Sequence, residues 1–143
     1  MHYREKKVCW DTLQDMKKEI DIQRSIMGGD FNLVLANGEK RGGSIVTDPS
    51  REKLEDIIAK WDLIDPKPKK GKYTWTNMRT RKAHIATRLD RFLFRNNFLE
   101  DDLQIRSSIL SYVVSDHKPI MLVFEDPRKY GPLPFHFNPF WLI

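Results

Sequence analysis

Cysteine is almost absent from this chain, and its one example, Cys9, excludes internal disulfides and any cysteine-rich zinc site. Without disulfides, a reducing intracellular compartment is the default expectation. Cys9 itself reads as helix packing rather than as a reactive thiol. Long hydrophobic runs are missing too. No apolar stretch approaches the ~18 residues that a membrane span needs, so no membrane partner is expected. The opening Met1-His2-Tyr3-Arg4-Glu5-Lys6-Lys7 has no apolar segment behind its charges, so it is not expected to be a secretory signal. There is no Gly-x-Ser-x-Gly elbow, no Walker loop and no dinucleotide fingerprint, so no small-molecule cofactor is implied. His2, His84 and His136 lack the spacing of metal ligands. Internal repeats and low-complexity tracts are absent.

What is present fits one globular domain. The chain has 143 residues, 31% charged and 40% apolar. Its net charge of +5 is unevenly spread. Between Lys67 and Arg95 stand ten basic residues (Lys67, Lys69, Lys70, Lys72, Arg79, Arg81, Lys82, Arg88, Arg91 and Arg95) and one acid, Asp90. That segment carries +9 and the remainder −4, a footprint suited to a polyanion such as nucleic acid; a solvated basic loop is the plain alternative. Lys67 to Lys72 could also act as a nuclear import signal, although such runs are common on surfaces.

Apolar positions 9, 10, 13, 16 and 20 predict an amphipathic helix from about Val8 to Ile20. Ser25 to Asn32 reads as a short buried strand running into a glycine-prepared turn. Leu33 to Pro49 is loop-like. A second helix is expected from Ser50, its cap, to about Trp61, with Leu54, Ile57, Ile58 and Trp61 facing inward. The two prolines of Asp65 to Lys72 exclude helix and central strand. Strands are expected at Tyr73–Asn77 and about Thr87–Phe94, separated by a basic hairpin-like loop. One helical turn follows near Phe98–Asp102, then a β-rich stretch from Ile105 to Val114. Ile120–Phe124 reads as a fully buried strand. Asp126 to Ile143, with four prolines, reads as an extended connector leaving a domain that occupies residues 1–125. Interleaved strands and helices place the chain in the α/β or α+β class.

Three segments put acids or amides at strand ends. In Gly28-Gly29-Asp30-Phe31-Asn32, the i, i+2 spacing points Asp30 and Asn32 to one side if the strand continues. A carboxylate can orient or deprotonate a water and a carboxamide can donate to a phosphoryl oxygen, which suits phosphodiester chemistry. A plain Asx turn explains the same residues. In Ser115-Asp116-His117, aspartate is a hard-oxygen ligand for magnesium and histidine can present a proton to a phosphoryl oxygen. Backbone capping is the competing account. In Arg88-Leu89-Asp90-Arg91, Asp90 is either a salt-bridge partner of the arginines or the acid that orients a histidine.

In this order, Gly29-Asp30-Phe31-Asn32, Tyr73-Thr74-Trp75-Thr76-Asn77, Leu89-Asp90-Arg91-Phe92-Leu93 and Ser115-Asp116-His117-Lys118-Pro119-Ile120 resemble the endonuclease/exonuclease/phosphatase superfamily. The subgroup most similar is the endonuclease of LINE-type retrotransposons. Gly131 to Asn138, with Trp141-Leu142, resembles the connector that leads towards reverse transcriptase in such elements. The resemblance spans about Trp10 to Leu142. It implies a four-layer α/β sandwich of two packed sheets flanked by helices, acting on DNA with magnesium, or manganese in its place. By the same resemblance, Asp30 would align the attacking water and Asn32 would stabilise the phosphorane-like charge. His117 would bind the scissile phosphate, held by Asp90, and Asp116 would lie at the metal end. Lys69, Lys70, Lys72, Trp75, Asn77, Arg79, Arg81, Lys82 and Arg88 would face nucleic acid; for Trp75 a place in the core is the competing account. The superfamily's early asparagine, its principal metal-binding glutamate and its tyrosine or histidine near the phosphate have no counterpart here. This chain is therefore expected to be the C-terminal part of such a domain, inactive alone. It would have an exposed sheet edge and call for a partner chain that supplies the missing half.

Overall fold

Helix α1, Tyr3–Glu19, and helix α2, Ser50–Lys60, lie together against one face of a small sheet in the computed structural model, which describes residues 3–19, 24–44, 46–99, 102–111 and 114–128. That sheet joins strand β1, Ile26–Asp30, to β6, Asp90–Arg95, and β6 to β3, Leu63–Ile64, all antiparallel. The core forms where apolar faces of matching period meet. Trp10 of α1, Leu54 and Ile57 of α2, and Leu33, Trp61, Leu63 and Leu93 make one buried cluster. Leu13, Met27, Phe31, Leu35 and Ile58 pack around it, and Trp10 stacks on Phe31 with ring centroids 5.8 Å apart. An Asp11–Lys53 ion pair ties the two helices together.

A second sheet orders β2, Lys40–Arg41, then β5, Ala86–Thr87, then β4, Trp75–Thr76. A third pairs β7, Gln104–Ile109, with β8, Ile120–Glu125. Phe94, Phe98 and Phe124 meet edge-on or tilted and join this hairpin to β6. The architecture is thus mixed α/β, with three small antiparallel sheets and two helices among the described residues. No described helix is long and apolar enough to cross a membrane.

Several sequence expectations change. β1 is an edge strand rather than a buried one: Ile26, Gly28 and Asp30 are exposed. Among the described residues β8 pairs only with β7, and it is half-exposed along most of its length, so Ile120–Phe124 is not a fully buried strand. The strand expected over Thr87–Phe94 breaks at Arg88–Leu89, where the chain passes from the second sheet to the first. A short 3₁₀ turn occupies Asn96–Phe98, slightly before the expected helical turn. Ser50 does not cap α2. Asp48 does so instead, its Oδ1 accepting the Ser50 N–H at 2.8 Å. Cys9 is exposed on α1 rather than packed. His84, expected at the surface, is half-buried, with Nε2 3.1 Å from the Thr76 hydroxyl. Ile20, and residues 129–143 of the expected connector, lie outside the described residues.

Candidate active site and nucleic-acid interface

β1 and β6 run antiparallel with Asp30 directly opposite Asp90. Hydrogen bonds from Phe31 N–H to Leu89 O and from Arg95 N–H to Ser25 O fix the alternation of the ladder. Ile26, Gly28 and Asp30 therefore fall at its non-hydrogen-bonded pairs, where facing side chains come closest. The strand then turns. Asn32 adopts φ +54°, a left-handed conformation that asparagine tolerates better than most residues. Its N–H donates to Asp30 Oδ1 at 2.8 Å and its Nδ2 to Asp30 Oδ2 at 3.0 Å. The Asx turn of the plain reading is present, and it holds the carboxylate and the carboxamide side by side.

His117 reaches the same place from another element. Its Nδ1 lies 2.8 Å from Asp90 Oδ2, so of the two partners left open for Asp90 the structure has the histidine. A backbone bridge pairs Trp75 with His117, and the Trp75 indole N–H donates to Asp116 Oδ2 at 2.9 Å. Trp75 is therefore half-buried beside the site and not part of the core. Burial disfavours the charged form of His117. The Asp90 hydrogen bond and the charges of Asp90, Asp30 and Asp116 outweigh it and raise the imidazole pKa above its ordinary value. The Trp75 hydrogen bond holds the Asp116 carboxyl below its ordinary pKa.

Thr74 organises this convergence; the sequence placed it in a motif without giving it a role. Fully buried, its hydroxyl accepts the N–H groups of Leu89 and Asp90 at 2.9 and 3.0 Å. Its carbonyl accepts the Lys118 N–H at 2.7 Å, and its own N–H donates to Thr87 O. One residue thus spans β5, the start of β6 and the loop that carries His117. A cavity of about 450 Å³ opens beside the imidazole, lined by Asn32, Val34, Lys40, Trp75, Ile85, Thr87, Leu89 and His117. Lys40 is a further cation at this cavity that the sequence did not flag.

The basic residues divide. Lys69, Lys70 and Lys72 are exposed on a strap that follows β7: Lys69 N–H donates to Ser107 O, and Lys70 O accepts from Ile109 N–H. Arg79, Arg81 and Lys82 are exposed on the loop between β4 and β5. Asn77 braces that loop, donating to Ala83 O and accepting the N–H groups of Ile85 and Arg79. The loop springs from Thr76, whose N–H donates to Asp116 O. Arg88 does not belong to this surface. It is 3% exposed and paired with Glu39 and Asp65, so its expected contact with nucleic acid is corrected to a structural role. Arg91, wholly buried, joins the same two carboxylates and also donates to Leu33 O at 2.8 Å. Burial pushes the Glu39 pKa up, but Arg91 and Lys67 outweigh it and bring it to about 2.

A magnesium site does not follow from the described residues. No group of three or more His, Cys, Asp or Glu among them could hold a metal ion. Asp116 is a single exposed carboxylate, with one oxygen accepting from Trp75 and the other from Ser115. No protein-family model matches the sequence, and no curated protein matches it.

Proposed function

We propose that this chain is the C-terminal part of a DNA endonuclease domain of the LINE retrotransposon type, within a four-layer α/β sandwich, which handles a phosphodiester without cutting it alone. One observation carries the reading. Asp30, Asn32, Asp90 and His117, drawn from three separated sequence segments, converge on one surface with the Asp90–His117 hydrogen bond at its centre. The carboxylate fixes which imidazole nitrogen carries the proton and favours the charged ring, which can then hold a phosphoryl oxygen. Asn32 can donate to the same group, and Asp30 can orient a water.

Magnesium, or manganese, belongs to this reading only with further oxygen ligands from outside the described residues, since Asp116 is the one candidate present. The open edge of β1 supports a partner chain that supplies strands, because Ile26, Gly28 and Asp30 turn their backbone N–H and C=O groups away from β6. The test is nicking of supercoiled plasmid with magnesium, against EDTA and a His117→Ala control. The expected result is folded protein without nicking. Magnesium-dependent nicking abolished by His117→Ala would keep the nuclease assignment and overturn the inactivity. Nicking that survives His117→Ala would sink the site.

A second reading, a non-catalytic nucleic-acid-binding module, is favoured by the exposure of Lys69, Lys70, Lys72, Arg79, Arg81 and Lys82. It predicts duplex binding that Asp30→Ala and His117→Ala leave nearly intact, measured by fluorescence anisotropy. Absence of binding at low salt would remove it.

A further inference from the structure

Lysine side chains seldom lie buried, and when they do they are paired. Lys6, in the first turns of α1, is 7% exposed. Its ammonium donates to two acceptors far away in sequence, Asn32 O at 2.8 Å and Asp48 Oδ2 at 2.6 Å. Both acceptors are themselves anchored. Asp48 starts α2 by accepting the Ser50 N–H on its other carboxylate oxygen, and its carbonyl accepts the Arg51 N–H. Asn32 sits at a positive φ between Asp30, which its side chain touches, and Leu33, whose carbonyl is held by Arg91.

We infer that Lys6 is a positioning residue for the Asp30–Asn32 turn: through its buried ammonium, helix α1 fixes the Asn32 carbonyl and with it the direction of the Asn32 amide. Rotation about ψ of Asn32 would swing its carbonyl and, with Leu33 held by Arg91, turn the Asn32 side chain relative to Asp30. Clamping two successive carbonyls, Asn32 O by Lys6 and Leu33 O by Arg91, removes that freedom. Asp48 completes the clamp by neutralising the ammonium, which would otherwise be an unpaired buried charge. The consequence for phosphate handling rests on the function proposed above; the positioning itself does not.

The alternative is a strut that merely attaches α1, and the Asp11–Lys53 pair between the helices offers the control. In isotope-labelled protein, the Lys6 ammonium should exchange slowly and show a through-hydrogen-bond coupling to the Asn32 carbonyl carbon. An ammonium exchanging like those of exposed lysines overturns the inference, and this measurement needs no variant. Lys6→Met should move the Asn32 side-chain amide resonance to the position of a solvated amide. It should also speed Asn32 N–H exchange by about tenfold, the factor that one modest hydrogen bond gives. Lys53→Met should leave both signals in place. If Lys6→Met lowers stability while the Asn32 signals stay, Lys6 is a strut and the inference fails. Rescue is available in the Cys9→Ser background: Lys6→Cys, alkylated unfolded with bromoethylamine and refolded, regains an ammonium and should restore the Asn32 signals. Failure of the refolded adduct to restore them counts against the ammonium. None of these readouts needs DNA cleavage, so a negative plasmid assay leaves them standing.

Discussion

Glu39 concentrates more partners than any candidate site residue. Its carboxylate receives Arg88, Arg91 and Lys67, and also the Leu35 N–H at 2.9 Å. Its depressed pKa sets the sign of a pH effect. A carboxyl at about 2 in the folded chain and 4.5 in the open chain contributes stability that is fully present above about pH 4.5. That contribution fades as pH falls towards 2. The shift corresponds to roughly 3 kcal/mol. Urea midpoints should therefore drop between pH 5 and pH 3. Glu39→Gln should be less stable at pH 7 by about 3–5 kcal/mol, because it leaves two buried guanidinium groups short of a partner. Its profile over the same interval should be flatter. An unchanged profile in the variant would assign the acid sensitivity elsewhere. Sequence reading missed Glu39 because it stands in a stretch of Asn37-Gly38 and Gly42-Gly43 breakers that looks like plain loop. Thr74 and Lys6 were hidden for a related reason: their importance lies in which distant groups they meet.

Among elements, the helices and the principal strands were legible because their apolar periods were regular, as with Leu54, Ile57 and Trp61 along α2. Burial of the strands was not legible. β1 and β8 have the composition of interior strands, but whether a strand lies at an edge depends on its neighbours. The ordering of Asp30, Asp90 and His117 around one point was legible only through the resemblance, since no spacing rule joins segments 27 and 60 residues apart. The basic segment shows the same limit. Composition counted ten cations alike, whereas the fold buries Arg88 and Arg91 and exposes the strap and the loop. Replacing Arg79, Arg81 and Lys82 together by Ala should leave the thermal midpoint nearly unchanged. It should also lower the slope of log affinity against log salt for duplex DNA by up to about 2.7, at roughly 0.9 for each phosphate no longer neutralised. An unchanged slope would remove the loop from the interface.

At the scale of the molecule, the side of β1 left unpaired among the described residues is a hazard as well as an opening. It has neither proline nor lysine to discourage pairing, and Ile26 is 46% exposed. Sedimentation velocity should show association that grows with concentration, and Ile26→Lys should shift it towards monomer. A species that stays monomeric up to high concentration would mean that the edge is protected by something other than its sequence. The same surface also has a charge order. Asp30, Asp90 and Asp116 surround one imidazole, so the centre is electronegative even with His117 protonated. Apart from Lys40 at the cavity, the exposed cations described above lie outward, on the loop rising from Thr76 and on the strap along β7. On the proposed function, a lone phosphate would have only His117, Asn32 and Lys40 to set against three carboxylates, while a long polyanion would also engage the cations of the rim. If the surface binds nucleic acid as proposed, the arrangement should favour a polymer over its monomer, and inorganic phosphate should compete poorly with duplex DNA in an anisotropy titration.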